Sequence, residues 1–285
     1  MNRKAFLVIL LLLSNLIQAQ ETSRFEADSV GLSASTDFRM ALAYENGSKG
    51  KKNTTKAIEL YKIAIQKGYF KAYNNLALLY LKSPSIKNNC RLAIDLLKKA
   101  VAGNDIKAFY NLGVLYESGI GLLANENKAI ELYKKASEMN HSGAMNNLAG
   151  TYLKQKKYAQ ALALYNQGAK LKNTLCYCNL GILYENGYGI PKNSSKAFYW
   201  YQLAAKAGNA VAQNNLAGIY SRREDDKQAV FWYEKAAQQK NNTAIANLAN
   251  CYEFGYYVRI NLLKAQALRN EAKKNKTPTV LFKCN

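Results

Sequence analysis

Proline, histidine and acidic residues are scarce in this chain of 285 residues, and each shortage closes off a class of reading. Only three prolines are present, so long helices can run unbroken. The single histidine, His141, falls in a predicted loop and leaves no cluster to hold a metal. The five cysteines (Cys90, Cys176, Cys178, Cys251, Cys284) are too few and odd in number for a disulfide framework, so at least one thiol is left unpaired or intermolecular. Cys176 and Cys178, two apart on a predicted helix, point in different directions and are not expected to bridge each other. Motifs of catalysis are missing as well. The GIG at Gly119 and GYG at Gly187 lack a preceding strand and a following GK[ST], which excludes phosphate loops, and no serine-hydrolase motif occurs. No cofactor and no enzymatic activity are expected.

Acids number 19 against 40 lysines and arginines, a formal charge of +21. Such a charge favours acidic partners or anionic surfaces. Long apolar runs are also absent, except at the N-terminus. There Asn2-Arg3-Lys4 precedes the apolar stretch Ala5 to Ile17, and Ala19 offers a small-residue cleavage point. The stretch is shorter than the roughly 20 residues that span a bilayer. Residues 1–20 therefore read as a signal peptide, 21–35 as a linker and 276–285 as a tail. The mature chain is expected to be exported, periplasmic or secreted, with no transmembrane segment. Export argues against nucleic acid as the anionic partner.

Abundance is concentrated in a repeat. Aligned on NLAxxY or NLGxxY, the chain places tyrosines at Tyr44, Tyr80, Tyr116, Tyr152, Tyr184, Tyr220 and Tyr252. A second marker, the alanine of KAIELY-like segments, recurs at Ala57, Ala93, Ala129, Ala161, Ala197, Ala229 and Ala265. From each alanine to the next tyrosine the spacing is always 23, whereas from tyrosine to its own alanine it is 13 in five repeats and 9 in two. All length variation falls inside one turn, so stacking between neighbours keeps its register. Each unit reads as two helices. The first carries apolar residues at helical spacing (Ala72, Leu76, Leu79, Tyr80), and so does the second (Ala129, Tyr133, Ala136). Alanines allow close approach of helices, while the tyrosine rings fill the gaps between repeats. Glycines such as Gly47, Gly119, Gly187 and Gly255 are expected to take positive φ after the first helix.

The segments YESGIGLLANENKAIELYKKA (Tyr116 to Ala136) and YENGYGIPKNSSKAFYWYQLAAKAG (Tyr184 to Gly208) resemble the Sel-like repeat family, a cousin of the tetratricopeptide repeat. The resemblance covers residues 36–275, as seven repeats. It departs from the family in two 32-residue units and in Arg269, where an aromatic is expected. It implies an all-α fold, a right-handed α-α superhelical solenoid of about seven helix-turn-helix repeats. The first helices would line a concave surface used to assemble proteins, in envelope maintenance or host contact. Cysteine-rich relatives are associated with β-lactam binding or weak hydrolysis through cysteines paired between helices. Here only Cys178 resembles such a cysteine, and its expected partner position is Gly168.

The partner-binding candidates follow from the same register. Asn75, Asn111, Asn147, Asn179, Asn215 and Asn247 precede the marker leucines, with Arg39 in that slot of repeat one. In tetratricopeptide proteins the matching asparagines hydrogen-bond a ligand, a role that suits an amide able both to donate and to accept. The bland alternative has them bonding groups of neighbouring helices. Lys71 and Lys107 lie four residues before Asn75 and Asn111, and Lys82 and Lys154 fall near the far end of the same face. An acidic peptide or C-terminal carboxylate would suit these lysines, with a polyanion or anionic membrane surface as the alternative partner. Later repeats carry Leu175, Val211 and Thr243 in the lysine slot. Glu117, Glu185 and Glu253, each following a marker tyrosine, are expected only to tune the helix surface.

Overall fold

A computed structural model describes residues 32–48, 50–274 and 284. The expected signal segment 1–20, most of the 21–35 linker and the 276–285 tail apart from Cys284 lie outside the described residues. Among those described, every regular element is a helix, and no helix is long and apolar enough to cross a membrane. The chain packs as two units, one holding the residues up to Ala124 together with Cys284, the other beginning at Asn125. The first contains α1 (32–46), α2 (Thr54–Gln66), α3 (Lys71–Leu81), α4 (Asn89–Ala102) and α5 (Ile106–Ser118). The second contains α6 (Glu126–Glu138), α7 (Ser142–Lys154), α8 (Tyr158–Lys170), α9 (Thr174–Asn186) and α10 (Ser194–Lys206). It continues with α11 (Ala210–Arg222), α12 (Asp226–Gln238), α13 (Asn242–Phe254) and α14 (Leu262–Lys274). Within each unit successive helices pack on one another, giving an all-α solenoid of helix-turn-helix repeats.

Caps written into the repeat set the helix starts. Asn53, Asn125, Asn193 and Asn261 stand nine residues after a marker tyrosine, and each accepts the backbone N–H three residues on. Asp105, Asn173, Asn209 and Asn241 do the same for first helices. His141, expected in a loop, fills that same cap position, its Nδ1 accepting from the Ala144 N–H at 3.1 Å. Each such cap contributes about 1 kcal/mol. At the other helix end Gly119, Gly187 and Gly255 are left-handed C-caps, as their position predicts.

All seven marker alanines are buried, and the interior is built on them. The marker tyrosines are not the deepest rings. Tyr44, Tyr184 and Tyr252 are half-buried, each under a lysine ammonium (Lys56, Lys196, Lys264). The fully buried rings are Tyr61, Tyr133, Tyr165 and Tyr201, four residues after the marker alanine of a second helix. Gly181 explains one of them, since a Cβ there would lie 2.5 Å from the Tyr201 ring. Glycine is what lets α9 sit on that tyrosine.

Candidate partner-binding face

Burying a tyrosine hydroxyl is unfavourable unless it finds a partner. In α2 the Tyr61 hydroxyl donates to Glu45 Oε2 at 2.7 Å and lies within hydrogen-bond reach of the Asn75 amide. Burial, and then the Glu45 carboxylate, push its phenol well above the ordinary range. Asn75 accepts from Asn74 at 3.4 Å, and Asn74 accepts from Asn111 at 2.8 Å. A single polar chain thus runs Glu45, Tyr61, Asn75, Asn74, Asn111 through the first unit. Lys82, at the far end of α3, caps this chain by pairing with Glu45 Oε1 at 3.3 Å.

The second unit repeats the device. Asn179 donates to Asn146, which donates to Asn147, which donates to the Tyr133 hydroxyl, at 2.9, 3.2 and 3.1 Å. Asn247 donates to Asn214 at 3.0 Å and Asn214 to Asn215 at 3.3 Å. Asn215 reaches the Tyr201 hydroxyl, which donates to Glu185 at 2.7 Å, while Arg222 pairs with the other Glu185 oxygen at 2.9 Å. In repeat seven Arg269 stands in the tyrosine slot and clasps Glu253 directly. Two of the glutamates expected only to tune the surface, Glu185 and Glu253, therefore anchor second helices, Glu185 by accepting from buried Tyr201 and Glu253 by pairing with Arg269, and Glu45 does the same for Tyr61.

The asparagines are not equivalent ligand arms. They form triads that recur every second repeat, and the members overlooked from the sequence are Asn74, Asn146 and Asn214. The NN doublet at those positions, alternating with Tyr110, Cys178 and Ala246 before the single asparagine, is the signal that could have revealed them. The bland alternative accounts for part of each amide. Asn111, Asn179 and Asn247 each end a triad, and their carboxamide oxygens have no partner among the described residues.

Lys71, Asn75 and Lys107 come together at a groove of about 770 Å³ in the first unit. Lys71 opens α3 and Lys107 lies in the first turn of α5. A cation at the positive end of a helix is poorly placed for its own helix and favours a bound anion. Phe38, Phe70 and Ile106 form the apolar side of the groove. Lys82 is drawn off to Glu45, and Lys154 ends α7 in the second unit, so neither lines the groove. In the second unit the lysine slot carries no charge in three repeats, with Leu175 and Val211 about half exposed and Thr243 also exposed.

The cysteines are explained separately. Cys90 and Cys284 form a disulfide, while Cys176, Cys178 and Cys251 are free and buried. Burial pushes the Cys176 and Cys178 thiols up to about 12 and that of Cys251 to about 11. These are packing residues, since the nucleophilic thiolate is suppressed. The thiol facing Gly168 belongs to Cys176, not Cys178, because a Cβ on Gly168 would lie 2.4 Å from Cys176 Sγ. Gly168 thus makes room for a thiol, and no pairing partner stands opposite Cys178 there. Among the described residues no group of three or more potential metal ligands occurs.

Helical hairpins stacked in fixed register, with an open polar face, define an interaction scaffold. Seven Sel1 repeats match, at residues 35–69, 70–105, 106–141, 142–173, 174–209, 210–241 and 243–268, and the chain belongs to the Sel1 repeat family. Solved structures agree. A Sel1 repeat protein from Oxalobacter formigenes is 28% identical, with a TM-score of 0.72 over 84% of this chain and 98% of its own. Another is c5321, a protective antigen of uropathogenic Escherichia coli with an SLR fold, 28% identical with a TM-score of 0.71 over 84% of this chain. The match spans about half of that protein, 53% of its length. PilF of Pseudomonas aeruginosa, 19% identical with a TM-score of 0.56 over 86% of this chain and 99% of its own, shares the fold alone. Among curated proteins none matches. The Sel1 fold is typically a scaffold for protein–protein interaction and generally not an enzyme.

Proposed function

We propose that this chain is an exported, non-enzymatic scaffold that holds an acidic segment of a protein partner in the groove of its first unit. The observation that carries the reading is the convergence of Lys71, Asn75 and Lys107 on one groove beside exposed apolar side chains. Ammonium groups would pair with carboxylates through charge-assisted hydrogen bonds. Export is supported by the N-terminal pattern of residues 1–20 and by the Cys90–Cys284 disulfide, which suits an oxidising compartment. The likeness to a protective antigen supports a role at the cell envelope or towards a host.

The test is binding of a fluorescein-labelled acidic peptide to mature protein, followed by anisotropy at two salt concentrations. Lys71→Gln/Lys107→Gln is expected to weaken binding at least tenfold, and Lys154→Gln by less than twofold. Equal, steeply salt-dependent losses for both would replace the groove with diffuse attraction of polyanions to the large net positive charge.

A further inference from the structure

The second helices share one register but not the side chains that close the space between them. Two positions decide the matter: the residue three after the marker alanine, and the residue two before the asparagine that precedes the marker leucine. In repeat five these are Trp200 and Tyr177, whose rings stack at 5.7 Å. In repeat six they are Trp232 and Gln213. Trp232 packs against the cluster that holds Tyr201, Ala204 and Ala205, and buried Gln213 donates to the Ala205 carbonyl at 3.1 Å. Tyr73 and Phe109 supply a ring in repeats two and three. Repeats four and seven have a ring at neither position, carrying Leu164 with Met145 and Leu268 with Ile245. At both of them a cleft is open.

The larger cleft, of about 590 Å³, lies between α6 and α8. Buried Met145 and Leu148 of α7 form its floor, with Leu164 and the 44% exposed Leu171 beside them. The other, of about 360 Å³, lies between α12 and α14 at Ile245, Leu248 and Leu268. The chain itself shows what fits, because repeat five closes the same place with an indole. A ring brought from outside would take Leu164 and Leu171 out of water.

Charge narrows the source of that ring. Lys134 and Lys170 line the larger cleft together with Glu138, which lies 3.8 Å from Lys135. With every charge counted, three cations stand against one carboxylate, so the ring is best delivered among acidic side chains. The smaller cleft is lined by Glu234 and Glu271 without a cation, which disfavours the same segment. An open cleft between helices suits an anchor side chain on a protein surface better than a free small molecule, which needs enclosure.

We infer that the α6–α8 cleft is a second docking site, independent of the first unit's groove, that receives a tryptophan from an acidic segment of a protein partner. The indole lies over Met145 and Leu148, in the place that Trp200 fills one repeat later. Carboxylates of the same segment face Lys134 and Lys170.

The experiment titrates methyl-labelled mature protein with blocked Gly/Ser peptides that carry one Trp between two Asp. Methyl shifts of Met145, Leu148 and Leu171 report this site alone, so its failure is distinct from failure of the first unit's groove. The Trp peptide should bind about fivefold more tightly than one with Leu in its place. Replacing both Asp by Lys should weaken binding about threefold. Leu164→Trp gives repeat four the side chain of repeat five, and should abolish the shifts without lowering the urea midpoint. If that variant misfolds, Ser137→Leu fills the cleft from α6 and carries the same expectation. Absence of saturable shifts, equal binding of the Leu peptide, or binding that survives in a folded plugged variant overturns the inference. Equal binding of the Lys peptide overturns the acidic partner, and indole alone binding as tightly as the peptide overturns the protein partner.

Discussion

Tyr201 lies fully buried, and its hydroxyl joins a carboxylate to an amide. Tyr201→Phe removes only that oxygen, so urea unfolding should show a loss of about 1–2 kcal/mol; a loss below about 0.3 kcal/mol would mean the link is idle. Gly181→Ala acts on the same ring from the other side. Its Cβ would fall 2.5 Å from the Tyr201 ring, and the overpacking is expected to cost about 2 kcal/mol in the same assay. Alkali probes all the buried acids together. The thiols of Cys176, Cys178 and Cys251 titrate at about 12, 12 and 11 when folded, against an ordinary thiol value of 9.0. The folded chain thus holds protons that the unfolded chain releases. Their contribution is full below about pH 9 and is lost as pH rises towards 12, reinforced by the raised phenols of Tyr61, Tyr165 and Tyr201. Melting temperature should fall steadily over that interval, and a flat profile would contradict the burial assigned to these groups.

Helix pairs, the next scale, show what the sequence could reveal. The constant spacing of 23 between alanine and tyrosine was legible because it reflects stacking, which tolerates no insertion. Helix types, left-handed glycine caps and the convergence of Lys71, Asn75 and Lys107 follow from that register. The triads were less legible because the pairing of amides depends on side-chain direction across two helices, which spacing along one chain does not fix. The Glu–Tyr links were obscured similarly: sixteen residues separate Glu45 from Tyr61 across a turn. Apolar Phe70 carried no pattern of its own, since it precedes α3 and is not part of a periodic face. Turns between repeats offer a clean test of backbone strain. Gly208 adopts φ +90°, and a Cβ added there would meet nothing within 4 Å. Gly208→Ala should therefore cost about 1 kcal/mol from conformation alone. Asn104, Asn140, Lys172 and Lys240 take positive φ at the corresponding turns, so the strain is tolerated elsewhere in the array.

For the whole molecule the informative features are the disulfide and the groove. Cys90 and Cys284 are 194 residues apart in sequence, and closing so long a loop restrains the unfolded chain. A chain-entropy treatment sets the gain at about 5 kcal/mol. Reduction, or Cys284→Ser, should lower the unfolding free energy by about 2–5 kcal/mol. The buried free thiols should stay unlabelled by a thiol reagent until denaturant is added. The central claim concerns the groove. It is tested most directly by adding an acidic peptide to isotope-labelled mature protein and following backbone and asparagine side-chain amide resonances. The account predicts that the shifts cluster at Lys71, Asn75 and Lys107 in the first unit. Shifts confined to the second unit, or spread evenly over surface lysines, would contradict it.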